Sequence, residues 1–393
     1  MRQNPLAYLD DELSELRRQG LYRPLRVLDG EQKAHTSIDH RPVVNLSSNN
    51  YLGLTTHPTL RARAREALEA FGVGSGSVRT IAGTMAIHME LERRLAAFKQ
   101  TESAVVFQSG FTANAGTVSS LLGRDDVIVS DELNHASIID GARLSRATIK
   151  VFPHRDVDAA RRILRELPRG QRTLVITDGV FSMDGDLGAL PALCELSEEF
   201  GCIMMVDDAH ASGVFGRAGR GTVDHFAMHG RVDIQVGTLS KALGALGGYV
   251  AGSTSLIEFL HRRARPFLFS TSHPPSVAAT CIAAIDVLET EPLWMENLWD
   301  NTRFFKAGLA ALGFDIGVSE SPITPVVVGD GALAMTLSDK LFEAGVFAQG
   351  IGFPTVPRGK ARVRTIVTAT HTQDELQFAL DTFGRVGTEL GIV

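Results

Sequence analysis

The sequence predicts an α/β fold: a large domain with a mostly parallel seven-stranded sheet covered by helices on both faces, followed by a smaller α+β domain. Three observations lead there. From about residue 87, seven short apolar runs alternate with helical patterns. After residue 280 the alternation gives way to long helices with few strands between them. The 393 residues also leave room for two cores, at roughly 100 to 200 residues per domain. The expected division is an N-terminal segment, 1–55, packing with the small domain, a large domain, 56–280, and a small C-terminal domain, 281–393.

In chain order, residues 8–19 and 59–71 have the apolar spacing of amphipathic helices, the second stopped by a glycine. The seven strand candidates are 103–107, 126–130, 149–152, 173–177, 202–206, 233–237 and 247–252. Helices are expected over 273–290, 294–312, 331–345 and 372–390, with ITPVVVG (323–329) and ARVRTIVTA (361–369) as strands among them. In a parallel sheet, ligands sit beyond the carboxyl ends of the strands, so polar residues just after each run are the candidates for function.

Composition narrows the class. A net charge of −6 gives no global basic field for nucleic acid or an anionic membrane. Three cysteines without a CxxC pair suggest a reducing compartment and no structural metal. The N-terminus lacks the apolar centre of a signal peptide and no run reads as a membrane span, so the expected location is the cytoplasm.

Lys241 is the only charged residue between Asp233 and Glu258. A lysine in so apolar a stretch either sends its head to water or loses its proton and becomes a nucleophile able to form a Schiff base. Asp207 follows an apolar run in MVDDAHASG, with His210 three residues on. A carboxylate there can pair with a protonated heterocycle nitrogen, cap a helix, or, with Asp208 and His210, contribute to a metal site. His135 in LNHASI stands where it can stack on a flat cofactor, shuttle protons or cap a helix. QSGFTANAG (108–116) opens a helix after a strand, so its backbone N–H groups suit an anion, with Thr238 and Ser240 adding hydroxyls. DGVFSMDGD (178–186) offers Ser182, Asp184 and Asp186 in a loop. Neither dinucleotide nor P-loop glycine patterns occur in the required strand-to-helix context. Arg362 and Arg364, two apart on a strand, suit a substrate carboxylate better than nucleic acid, since no aromatic platform accompanies them.

Taken together, SSNNYLGL, LNHASIIDG, DGVFSMDGD, VDDAHASGVFG, GTLSKALG and PTVPRGKARVR resemble, in order and spacing, the α-oxoamine synthases over roughly residues 5–392. These are pyridoxal-phosphate enzymes of fold type I, the aspartate aminotransferase-like fold. The resemblance implies that Lys241 carries pyridoxal 5'-phosphate and acts as general base. It implies that Asp207 holds the ring nitrogen, that His210 and Ser182 lie at the ring oxygen, and that His135 stacks on the ring. Gly110, Phe111 and Thr238 would bind the phosphate, completed by Ser270 and Thr271 from the other subunit of a homodimer. Asn49 and Arg364 would hold the carboxylate of a small amino acid, glycine or alanine, which condenses with an acyl-CoA. Within the family, GSGSVRTIAGT and IGFPTVPRGKARVR look closest to the glycine C-acetyltransferases, which join glycine and acetyl-CoA. The alternative is the 8-amino-7-oxononanoate synthases of biotin synthesis, which use alanine and pimeloyl-CoA, or a dual-substrate enzyme. The phosphate loop SGFTANAG is nearer the oxononanoate pattern. An aminotransferase on the same fold is the rival of a different class.

Overall fold

The computed structural model describes residues 4–18, 22 and 24–393. A helix spans Tyr8–Arg18, and the expected end at Gln19 lies outside the described residues. Two short strands follow, β1 (His35–Ile38) and β2 (Arg41–Asn45), paired antiparallel. Their turn uses Asp39 and His40 at φ +49° and +62°, the left-handed geometry that a two-residue hairpin loop requires. The sequence reading had not singled out this hairpin. It lacks the glycine that usually marks such a turn, and a proline sits in the second strand.

The seven apolar runs form one sheet. Its strands are β3 (Ser103–Phe107), β4 (Val127–Asp131), β5 (Thr148–Phe152), β6 (Thr173–Asp178), β7 (Ile203–Asp207), β8 (Ile234–Thr238) and β9 (Gly248–Gly252). Their order is β3-β9-β8-β7-β6-β4-β5, and only β9 runs against its neighbours. The other six strands therefore end at the same edge. Side chains alternate between faces. Val105, Ile128, Ile176, Met205 and Val236 pack on one side, while Val129, Val175, Met204 and Val206 pack on the other against helices Val157–Arg165 and Leu190–Phe200. Burial of these fully enclosed side chains stabilises the sheet by roughly 1.5–3 kcal/mol apiece before chain entropy is counted.

The C-terminal part has helices Pro275–Thr290, Leu293–Ala311, Gly331–Glu343 and Gln373–Glu389. Its strands are β10 (Ile323–Gly329), β11 (Val346–Phe347), β12 (Gln349–Ile351) and β13 (Ala361–Ile366). β13 lies between β10 and β12, and β11 pairs in parallel with β2. Residues near the N-terminus thus complete a sheet with residues near the C-terminus. Among the described residues, no helix is long and apolar enough to cross a membrane.

Candidate active site

The common strand edge builds the site. β3 leads into helix Gly110–Leu121, whose N-cap Ser109 accepts a hydrogen bond at Oγ from the Thr112 N–H at 3.1 Å. The first N–H groups of that helix are left free to face a ligand, and the helix dipole adds partial positive charge there. A Cβ on Gly248 would lie 2.3 Å from Ser109 O and 2.5 Å from Gly110 N, so the start of β9 can pass this close only as glycine. At the end of β8, Thr238 Oγ1 donates to Gly247 O at 2.9 Å and accepts the Ser240 N–H at 3.2 Å, which shapes the turn that carries Lys241.

A cavity of about 230 Å³ opens at this edge, and Lys241, Asp207, His210 and His135 line it. Gly110, Phe111, Ser182 and Thr238 line the same cavity. With Ser240, which also lines it, nine of the residues singled out from sequence are therefore brought together. Asn49 and Arg364 meet each other, Arg364 Nη2 donating to Asn49 Oδ1 at 3.4 Å, and Arg364 Nε is buried without a partner among the described residues. Arg362 is engaged elsewhere, donating from Nη1 to Asp184 Oδ1 at 2.6 Å and to Met183 O at 2.9 Å. Ser270 and Thr271 are not among the residues lining this cavity. Their segment is tied to residues 75–83 through the Val78–Thr271 bridge and Ser272.

The electrostatics follow from burial. Among the described residues, Lys241 has no ion-pair partner within 4.0 Å. Burial lowers its pKa to about 8, against the pull of Asp207. Burial also holds His210 well below the usual imidazole range, with Lys241 and Arg364 pushing the same way. His210 Nδ1 lies 2.7 Å from the hydroxyl of Tyr51, a fully enclosed phenol whose own pKa burial raises. With Tyr51 assigned as donor, His210 keeps its proton on Nε2.

Asp207 accepts from Ala209 N at 2.8 Å and from Asn114 Nδ2 at 2.6 Å. Beside it across the sheet stands Asp178, in register and buried. Burial and the Asp207 charge raise the Asp178 carboxyl well above the ordinary carboxylate range, opposed by the His135 N–H it accepts at 2.9 Å. Asp208 turns away from the cavity to pair with Lys99 at 2.9 Å, both side chains wholly enclosed. It is therefore committed elsewhere and does not form a metal cluster with Asp207 and His210.

Tyr51, Asn114, Ser137 and Asp178 are parts of the site that sequence reasoning had not assigned. Asn114 stood inside the quoted phosphate loop and Tyr51 inside SSNNYLGL, so only their partners were missing from view.

The arrangement offers anion donors at one end, a carboxylate at the other and a deprotonatable amine between them. That set suits a flat, cationic heterocycle bearing a phosphate. The profile of the family described as "Aminotransferase class I and II" matches residues 41–383. A protein of Symbiobacterium thermophilum called 8-amino-7-oxononanoate synthase is 60% identical over 387 residues, covering 98% of this chain and 99% of that protein. The 8-amino-7-oxononanoate synthase 1 of Bacillus subtilis is 54% identical over 386 residues, covering 98% of each. Among solved structures, a serine palmitoyltransferase from S. paucimobilis with bound PLP superposes with a TM-score of 0.94 at 33% identity, covering 99% of this chain and 98% of that one. The fold is that of the fold type I pyridoxal-phosphate transferases, as the sequence predicted.

Proposed function

Because the chain belongs to the class I and II aminotransferase family and, within it, to the pyridoxal-phosphate-dependent α-oxoamine synthases, we propose that it condenses alanine with a pimeloyl thioester. The product is 8-amino-7-oxononanoate, released with the thiol and CO2. The observation that carries this reading is the end-to-end match to relatives named for that product. The expectation of glycine with acetyl-CoA is set aside, because the relatives compared carry the other name. The motifs behind that expectation, 74–84 and 351–364, contribute no residue to the cavity lining, and Arg364 of the second is assigned to the amino-acid carboxylate, so they carry no information on the acyl chain.

When bound, pyridoxal phosphate supplies an electron sink for negative charge at the α-carbon of the amino acid. The chain's own residues do the rest. Gly110 and Phe111, at the helix N-terminus, would offer N–H groups to the phosphate, and Thr238, which lines the same cavity, would turn its hydroxyl from Gly247 O to add a donor. The Asp207 carboxylate, held by Ala209 and Asn114, would accept a hydrogen bond from the ring nitrogen and keep it protonated. His210 offers its Nε2–H, and Ser182 its hydroxyl, to the ring oxygen. Lys241 Nζ, kept partly unprotonated near neutrality by burial, would hold the cofactor and is the amine placed to take the α-proton of the substrate. Arg364 and Asn49 receive the substrate carboxylate, a role supported by the unpartnered Arg364 Nε. Ser270 and Thr271 belong to the phosphate pocket of a partner copy in a homodimer, a reading supported by their absence from the lining of their own chain's cavity and by Phe269, 69% exposed beside them.

The test is thiol release by the holoenzyme with alanine and pimeloyl-CoA against glycine and acetyl-CoA, following CO2 in parallel. Turnover and CO2 with the first pair are expected. Turnover confined to the second pair would return the enzyme to the acetyltransferase reading.

A further inference from the structure

Behind the cavity, a line of hydrogen bonds joins Asp207 to His135. Asn114 Nδ2 spends one hydrogen on Asp207 Oδ2 at 2.6 Å and the other on Ser137 Oγ at 2.9 Å. Ser137 Oγ stands 2.7 Å from His135 Nδ1, and the Ser137 backbone N–H also points at that nitrogen, at 3.3 Å. Asn114 and Ser137 are each 1% exposed, so no bulk water competes for these groups.

The directions of the bonds can be worked out one at a time. A carboxylate only accepts, so the asparagine must turn its amide nitrogen toward Asp207. Ser137 Oγ accepts the second amide hydrogen and has its own hydrogen left to give. His135 Nδ1 faces a backbone N–H, which cannot accept, so the imidazole receives there and its single proton belongs on Nε2.

We propose that Asn114 and Ser137 are positioning residues that wire Asp207 to His135 and lock His135 as the neutral imidazole protonated on Nε2. This rests on the reading of Asp207 and His135 as reacting-site groups. The locked ring presents an N–H donor to the cavity, while its other nitrogen is closed to protons. Surrounding protein and the charge of Lys241 also lower the pKa of His135, against the pull of Asp207, which favours the same neutral state. Two features hold the line in place: Asp178 takes the His135 backbone N–H, and Asn134 donates from Nδ2 to Ile176 O at 2.9 Å on β6.

The experiment is long-range 1H–15N correlation NMR on 15N-histidine-labelled apoprotein and holoenzyme, with His135 assigned from the spectrum of His135→Asn. In the wild type, Nδ1 is expected to resonate as an unprotonated acceptor and Nε2 as a protonated nitrogen. In Ser137→Ala the backbone N–H at 3.3 Å is kept but the closer hydroxyl donor at 2.7 Å is lost, so both signals should move part of the way toward the averaged values of two exchanging tautomers. Asn114→Ala should move them the same way by less, and the double variant should add little to Ser137→Ala. Turnover should fall about tenfold in Ser137→Ala, with the KM for the amino acid changed less than about twofold.

A protonated Nδ1 in the wild type overturns the proposal without recourse to any variant. So does a Ser137→Ala protein whose His135 signals stay in place. If the tautomer is as expected and shifts as expected, yet neither Ser137→Ala nor His135→Asn alters turnover, the wiring stands and the assignment of the reacting site fails instead.

Discussion

Lys241 shows how a single side chain is shaped by what is missing around it. Its neighbours in sequence carry no charge and among the described residues it has no ion-pair partner, so burial sets its pKa at about 8. Only the unprotonated amine attacks an aldehyde. The rate at which apoprotein captures pyridoxal phosphate should therefore rise with pH and level off above about 8, as followed by absorbance in stopped flow. Lys241→Ala should lose the visible band of lysine-bound cofactor and at least about 10²-fold in turnover, with the circular dichroism of the fold kept. Arg364→Ala should raise the KM for the amino acid by roughly 10- to 100-fold, the worth of a charge-assisted hydrogen bond, with cofactor affinity retained on titration. Arg362 cannot substitute, because Asp184 and Met183 already hold it. Lys241 was legible in the sequence because a charge stands out in an apolar run, and Arg364 because it stands two residues from Arg362 on a strand. Tyr51, Asn114 and Ser137 were not, since the Tyr51 partner lies 159 positions away and the Asn114 partners 23 and 93, separations that no local pattern encodes.

Among the elements, the packing of helix Gly110–Leu121 on helix Ala136–Ser145 decides whether Asn114 can reach Ser137. A Cβ on Gly141 would lie 3.1 Å from both Ala115 Cα and Asn114 O, backbone atoms that cannot swing aside. Gly141→Ala should push the helices apart by a few tenths of an ångström and destabilise the protein by about 1–3 kcal/mol, as overpacking does, measured by urea unfolding. It should also weaken cofactor binding although residue 141 is not among those lining the cavity. Six of the seven strands of the large sheet were readable because their faces are covered and their sequences are continuous apolar runs, while the edge strand β5, exposed at four of its five residues, was legible by its β-branched residues. β11 and β12, of two and three residues, were not readable, because strands that short carry no period.

Across the whole molecule, a charged cluster clamps the C-terminal part to the sheet. His154 lies between Asp131 at 3.0 Å and Asp186 at 2.8 Å, while Arg155 reaches Asp186 and Glu320. Burial alone lowers the pKa of His154, but hydrogen bonds to the two carboxylates outweigh it and push it up to about 9. A folded-state pKa above the unfolded value of about 6.5 means this stabilisation is full below about pH 6.5 and is lost as pH rises through about 9. The melting temperature should therefore decline by a few degrees over that window, and His154→Gln should flatten the decline, as read by calorimetry at fixed ionic strength. The outline of a large sheet with a C-terminal α+β part was legible, while this clamp was not, because each of its members is an ordinary surface-type residue in sequence. The pairing of β2 with β11 has a consequence for synthesis. Val44 and Asn45 leave the ribosome about 300 residues before their partners Val346 and Phe347, and Asn49 precedes Arg364 by 315 positions. At roughly 5–20 residues per second that wait is on the order of 15–60 s. The large sheet can form in the meantime, but Val43 and Val44 of β2 lack their C-terminal cover until translation is nearly finished, so the nascent chain passes through a long interval in which a holdase can bind it.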